Sequence, residues 1–214
     1  MASLKIREIY ASIQGESTWA GWPCTFVRTA GCDIRCVWCD EPHALAGGER
    51  MTLEAIEERV SAFGSPLVEL TGGEPLLQEA VPELITRLAD RGYRVLIETG
   101  GHRDISVLDP RCHAIVDIKT PGSRMSEHND LANLERLRPG DELKLVLADR
   151  ADYEWARALI RERDLCRRAP VNLSPVHGEL DPAELSKWIQ DDRLAVRLNL
   201  QLHKYIWGAE TQGV

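Results

Sequence analysis

Two hydrophobic rhythms alternate along the chain. Short apolar runs rich in Val, Ile and Leu stand at "CTFVRTA" (24–30), "PLVELT" (66–71), "YRVLIET" (93–99), "HAIVDIK" (113–119), "DELKLVL" (141–147) and "APVNLSP" (169–175). Their length and β-branched content predict six strands. Between them lie stretches whose apolar positions recur every three or four residues, which predicts amphipathic helices. These are "TLEAIEERVSAF" (52–63), "AVPELITRLADRG" (80–92), "DYEWARALIRERD" (152–164) and "DPAELSKWI" (181–189). Thr52 suits an N-cap and Gly92 a C-cap. Asp181, Pro182 and Glu184 have capping-box spacing with proline at the first helical position. The connections 100–112 and 120–140 are rich in Gly, Pro, Asp and Ser, so their helices should be short or missing.

Strands alternating with helices predict parallel β/α units. Six strands are too few to close an eight-stranded barrel. The chain of 214 residues can bury a sizeable core, and no repeat, low-complexity tract or linker divides it. A single domain over 1–214 is expected.

Composition narrows the function. A net charge of -8 and the lack of a clustered basic stripe argue against nucleic-acid binding. The nearest candidate, "RERDLCRR" (161–168), interleaves acids and reads as a solvated helix end. No apolar run approaches the length of a membrane span, and "MASLKIREIY" lacks the apolar core of a secretory signal. The expectation is a cytoplasmic protein, in which six cysteines are not a disulfide framework. Cys24, Cys112 and Cys166 are scattered and read as small buried hydrophobes. The other three fall in "GCDIRCVWCD": Cys32, Cys36 and Cys39, spaced C-x3-C-x2-C after the first predicted strand.

Three thiols leave two readings open. One is a zinc site completed by a distant ligand such as His43. The other is a [4Fe–4S] cluster in which one iron keeps an open coordination position. A second motif bears on the choice. "ELTGGEPLLQ" (69–78) sets Gly72, Gly73, Glu74 and Pro75 after the second strand, and paired glycines let a backbone approach a ligand closely. Together the two motifs resemble the radical S-adenosylmethionine superfamily. The resemblance implies that the three cysteines hold a [4Fe–4S] cluster and that S-adenosylmethionine (SAM) is the fourth ligand. It implies an α/β fold, a partial TIM-like barrel of six parallel strands with abbreviated helices. Thr71, Glu98, Thr99, Lys119 and Ser174 each end a predicted strand, where barrel enzymes gather their active sites.

"YASIQGES" (10–17), "FVRTAGC" (26–32), "ETGG" (98–101) and "QLHKYIWG" (201–208) extend the resemblance to the 7-carboxy-7-deazaguanine synthase family. That family contracts the ring of 6-carboxy-5,6,7,8-tetrahydropterin with loss of ammonia, toward queuosine and other deazapurines. By resemblance, Ile13, Gln14, Gly15, Arg28 and Thr71 contact the pterin, with the Arg28 fork on its carboxylate. Glu16 is either a further polar contact or a surface charge. The cofactor is implied to meet Trp38, Gly72, Gly73, Glu74 and Glu98. Its adenosine and ribose fall to Asp117-Ile118-Lys119 and Ser174-Pro175-Val176-His177. In the family a Ser or Thr two residues after the third cysteine binds Mg2+; here that position is Glu41, next to Asp40. Either acid holds the metal or the site is rebuilt without it. The expectation leans toward a retained metal, with Thr52 left as a helix cap. The apolar "HKYIWG" is expected to dock a tail that closes the site, bringing the Val214 carboxylate to the substrate. The resemblance also implies a homodimer and an electron donor such as flavodoxin or ferredoxin. Rival readings are an activase of a glycyl radical enzyme and a non-enzymatic zinc-binding module.

Overall fold

The computed structural model describes residues 2–209 and 211–213. Among these residues nine strands form one sheet in the order β3-β1-β2-β4-β5-β6-β7-β8-β9. The six expected strands are β2 (Pro23–Thr29), β4 (Leu67–Gly72), β5 (Arg94–Thr99), β6 (His113–Asp117), β7 (Glu142–Leu147) and β8 (Val171–Pro175). They run parallel in sequence order, and the two-residue β9 (Arg197–Leu198) continues them.

Three strands lay outside the sequence expectation. The longest is β1 (Ser3–Ile13), antiparallel to β2 and to β3 (Glu49–Thr52). Its alternation is broken by a register shift between Ile6 and Glu8. Leu4 and Ile6 are buried before the shift and Ile9 after it, so no clean period of two survives. β3 and β9 are too short to carry a pattern.

Among the described residues seven α-helices complete the fold. α1 (Leu53–Phe63), α2 (Val81–Asp90), α4 (Arg150–Glu162) and α6 (Pro182–Asp191) match the expected ones within a few residues. α3 (Asn133–Arg136), α5 (Leu165–Arg168) and α7 (Leu202–Ile206) are short. Thr52 caps α1 by accepting from the Ala55 N–H, and Asp181 caps α6 by accepting from the Ala183 N–H. Gly92 follows α2 with φ at 85°, a conformation that favours glycine.

Strand alternation sorts the side chains between two cores. Val68 and Leu70 of β4, Val95 and Ile97 of β5, Ala114 and Val116 of β6, and Leu143 and Leu145 of β7 face the helices. The opposite phase fills the concave face of the sheet. Cys24, Phe26, Leu67, Leu96 and Ile115 form a small apolar floor there, with Tyr10 and Trp19 packed on it. Further along the same strands this phase turns polar: Arg28, Thr71 with Glu69 below it, Glu98, Asp117, Lys144 and Ser174. Cys24 and Cys112 are buried, as expected of small hydrophobes, whereas Cys166 is only half-buried against the helix-side core, and all six cysteines are free thiols.

Among the described residues β3 and β9 do not pair, so the barrel stays open. The β1–β2 connection spans the gap. The Ser17 N–H donates to Asn199 Oδ1 at 2.8 Å, and the Leu202 N–H donates to the Gly15 carbonyl at 2.9 Å.

Candidate active site

The polar tier opens into a cavity of about 590 Å3 at the C-terminal ends of the parallel strands. That volume suits a cofactor together with a small substrate. Cys32, Cys36 and Cys39 line it, with Trp38, Asp40 and Glu41. So do Ile13, Gln14, Gly15, Glu16, Arg28, Thr71, Gly72, Gly73, Glu74, Glu98, Asp117 and Lys119, and the run Ser174, Pro175, Val176, His177. Ile118 does not. Its side chain is fully buried in the helix-covered core, so any ligand contact there goes through its main chain.

The cysteine loop and the Gly-Gly-Glu-Pro turn are pressed together by backbone. A Cβ on Gly73 would fall far inside contact distance of the Gly31 carbonyl and close to the Cys32 Cβ. Gly72 sits at φ 135° with Thr29 against it, another place for glycine alone. The Glu74 N–H donates to the Gly31 carbonyl at 2.8 Å. The Glu74 carboxylate is fully buried and accepts from the Leu76 N–H, the Thr99 hydroxyl and the Gly100 N–H. It braces the turn, and His102 lies 3.7 Å from it while also bonding Asp33 of the cysteine loop.

The three thiols are held above the ordinary cysteine range, chiefly by burial. Metal ligation would displace their protons. They do not close on one point: among the described residues no three His, Cys, Asp or Glu groups converge as a single-ion site. Lys119 faces Cys36 and donates to Asp117 Oδ2 at 2.7 Å. Burial works against its charge, but Asp117 and Cys36 together hold its pKa up. The other Asp117 oxygen is buried and lacks a hydrogen-bond partner. A buried acceptor left open beside a cavity wants a donor, such as the hydroxyls of a ribose. These donors and this orphaned acceptor fit a thiolate-bound cluster with a nucleoside-bearing cofactor beside it.

Across the cavity, charges from distant strands interlock. Lys144 Nζ donates to Glu16 Oε2 and Glu98 Oε1, each at 2.6 Å. Glu16, open between two roles in the sequence, is thus part of the interior. Glu69 is buried and accepts from the Gln14 side-chain amide. Burial first, and Glu98 second, push its pKa up to about 8. Arg28 donates through Nε to Glu8 at 2.7 Å and through Nη2 to Tyr10 Oη at 2.8 Å, with Glu41 2.9 Å from Nη2. Among the described residues Nη1 makes no hydrogen bond.

The sequence reading missed Glu69, Lys144, Glu8, Tyr10, Asn199 and His203. Two of them had a visible signal. Glu69 in "PLVELT" is a lone charge inside an apolar strand, in phase with Thr71, and Lys144 in "DELKLVL" stands between two leucines, in phase with Glu142. A charge there must face a polar lumen or stay unpaired.

The tail reaches the cavity, where Ala209, Thr211, Gln212 and Gly213 line the mouth. Its attachment differs from the expected apolar docking: Tyr205 and Ile206 are 61% and 55% exposed. Polar contacts hold it instead. Gln201 Nε2 donates to Glu16 and to Asp40, both at 2.9 Å, and Lys204 lies 3.5 Å from Asp40. His203 packs on Gly15 so closely that a Cβ there would press on its ring. Val214 lies outside the described residues.

Comparison with known proteins fits this geometry. The Radical SAM superfamily profile matches residues 26–118. A 7-carboxy-7-deazaguanine synthase of Chlorobaculum tepidum is 48% identical, over 100% of this chain and 98% of the relative. That of Koribacter versatilis is 43% identical, over 99% of this chain and 100% of the relative. The crystal structure of QueE from Escherichia coli superposes with a TM-score of 0.78, covering 94% of this chain and 95% of that one, at 23% identity. That likeness supports a partial TIM-like barrel.

Proposed function

The chain belongs to the 7-carboxy-7-deazaguanine synthase family of the radical SAM superfamily, and from that membership we infer its reaction: ring contraction of 6-carboxy-5,6,7,8-tetrahydropterin to 7-carboxy-7-deazaguanine, with release of ammonia. The observation that carries this reading is a single cavity uniting the three thiols and the Gly72-Gly73 turn with Arg28 and Gln14. A [4Fe–4S] cluster and SAM, when bound, would supply the radical chemistry that the ring contraction needs at C6 of the pterin.

The protein's own part is placement. Cys32, Cys36 and Cys39 would hold the cluster. Gly73 and its neighbours keep the turn close to it. Asp117 and Lys119 would receive the cofactor's ribose and adenosine, along with the main chain of Ile118 and the run Ser174–His177. Arg28 would take the pterin carboxylate on Nη1, and Gln14, Gly15 and Thr71 its ring. The tail, with Val214 at its end, would cover the mouth, excluding water and fixing the reacting atoms near one another.

The same reading includes a flavodoxin- or ferredoxin-type electron donor, a homodimer and a cytoplasmic setting. Six free thiols suit a reducing compartment. Neither rival, the glycyl-radical activase nor the zinc module, is favoured by the relatives. The test is anaerobic incubation of the reconstituted enzyme with the carboxytetrahydropterin, SAM and a reductant, followed by mass spectrometry. The expected species is 7-carboxy-7-deazaguanine, lighter than the pterin by one ammonia, and its absence alongside intact SAM cleavage overturns the substrate assignment.

A further inference from the structure

Glu41 stands where the resembled family carries a Ser or Thr hydroxyl for Mg2+, and its surroundings are unlike a cation site. Its Oε1 lies 2.9 Å from Arg28 Nη2, and its Oε2 lies 3.2 Å from His43 Nδ1. The other ring nitrogen of His43 is 3.5 Å from Glu8 Oε1, and that same oxygen accepts from Arg28 Nε at 2.7 Å. Arg28, Glu8, His43 and Glu41 therefore close a ring, two acids bridged by two basic side chains. Asp40 takes no part in it; its Oδ2 is turned to Gln201 and Lys204 of the tail.

Mg2+ demands near-octahedral oxygen ligation at about 2.0–2.1 Å. At Glu41 it would enter between a guanidinium and an imidazole. Glu41 Oε2 is buried and off hydrogen-bond geometry with His43, so one acceptor remains open. A single oxygen flanked by two basic groups does not make a hard-cation site, and the residues do not fit the metal.

We propose that Glu41 takes the cation's place: by closing the ring it acts as the positioning residue that fixes Arg28 with Nη1 toward the substrate carboxylate, so that pterin binding by this chain needs no divalent metal. This rests on the pterin reading above. It also reverses the expectation of a retained metal. A Thr side chain at 41 is too short to keep both ring contacts, whereas Gln keeps the length and removes the charge.

Calorimetry on the cluster-loaded enzyme with SAM, under anaerobic conditions, measures pterin affinity in EDTA and in millimolar Mg2+. The wild type is expected to bind equally in both buffers. Glu41→Thr and Glu41→Gln are expected to weaken pterin binding about tenfold in EDTA, the loss of one charge-assisted contact, with SAM affinity unchanged. An independent arm titrates Mn2+ and reads its electron paramagnetic resonance signal, which the wild type should leave unattenuated. A bound Mn2+ that Glu41→Gln abolishes, a wild-type affinity that collapses in EDTA, or variants that bind pterin normally would each overturn the proposal. Wild type that binds no pterin in either buffer would overturn the functional reading instead, and the Mn2+ arm would still decide whether Glu41 holds a cation.

Discussion

On one side of the cavity, Gly72, Gly73 and Glu74 meet the Cys32 loop through main chain. On the other, Lys144 joins Glu16 to Glu98, and Arg28 joins Glu8 to Glu41, through side chains from elements far apart in sequence. The first region tolerates almost no added atom, because backbone faces backbone. The second tolerates changes of shape but not of charge, since its partly buried acids are held together by the two bases between them. On the reading proposed above, shape governs the cofactor side and charge balance the substrate side. Substitutions that separate shape from charge test that contrast.

The largest effect is expected at Gly73. Alanine there drives a methyl group into the Gly31 carbonyl and toward Cys32, and neither can yield without moving the cysteine loop. Misplacing reacting groups by an ångström costs about a hundredfold in rate. Gly73→Ala should therefore lose SAM cleavage by about that factor or more, read as 5′-deoxyadenosine formed per cluster. An Arg28→Ala enzyme should keep cleavage and lose pterin binding. If Gly73→Ala cleaves normally, the cofactor side is not governed by shape.

Lys144 is the corresponding point on the other side. Lys144→Met keeps the volume but strands Glu16 and Glu98 without their cation. Breaking a buried ion pair from one side costs about 3–5 kcal/mol, and chemical denaturation should show a loss of that order. Adding Glu98→Gln removes one stranded charge and should recover part of it. A double variant no more stable than Lys144→Met would show that the charges do not balance each other.

The contrast also explains what could be read in the sequence. The cysteine loop and the glycine turn are contiguous, and each spacing carries its own geometry, so both were legible. The six parallel strands were legible because each buries an uninterrupted apolar face. β1 was not, because its bulge breaks the alternation between Ile6 and Glu8. The partners of Arg28 were hidden for a related reason. Glu8 and Tyr10 reach it only through that unrecognised strand, and Glu41 through a loop. The tail was read as apolar, yet it is Gln201 and Lys204 that hold it, while Tyr205 and Ile206 face outward.

Glu69 offers a milder test of charge on the substrate side. Its pKa is raised to about 8, by burial first and by Glu98 second, with the Gln14 amide pulling the other way. An unfolded glutamate titrates near its ordinary value, about 4.3. Between those two values the native state holds a proton that the unfolded chain has released. Folding then takes up a proton, so stability falls as pH rises through this window and levels off above it. Glu69→Gln cannot titrate. The wild type should lose about 2 kcal/mol relative to Glu69→Gln between about pH 6 and 7.5. Parallel stability curves would show that Glu69 is ionised in the folded protein.

The smallest effect is expected where the two regions share a cover. Gln201 donates to Glu16, an acid of the Lys144 network, and to Asp40, which follows the third cysteine. Among the described residues it is the one tail side chain bonded to both sides. Gln201→Ala removes two hydrogen bonds at a partly exposed site, where each is worth about 1 kcal/mol or less. Lys144 would still hold Glu16, and Lys204 would still face Asp40, so global stability should fall by about 1 kcal/mol. The loss should be local. Amides of α7 should exchange faster in hydrogen-exchange mass spectrometry, while those of β7 around Lys144 should not change, because elements open in separate units. Protection unchanged in α7 would mean that the Leu202 bond to Gly15 and the fit of His203 on Gly15 hold the tail without Gln201. Exchange accelerated in both would mean that the cover and the ion network open together.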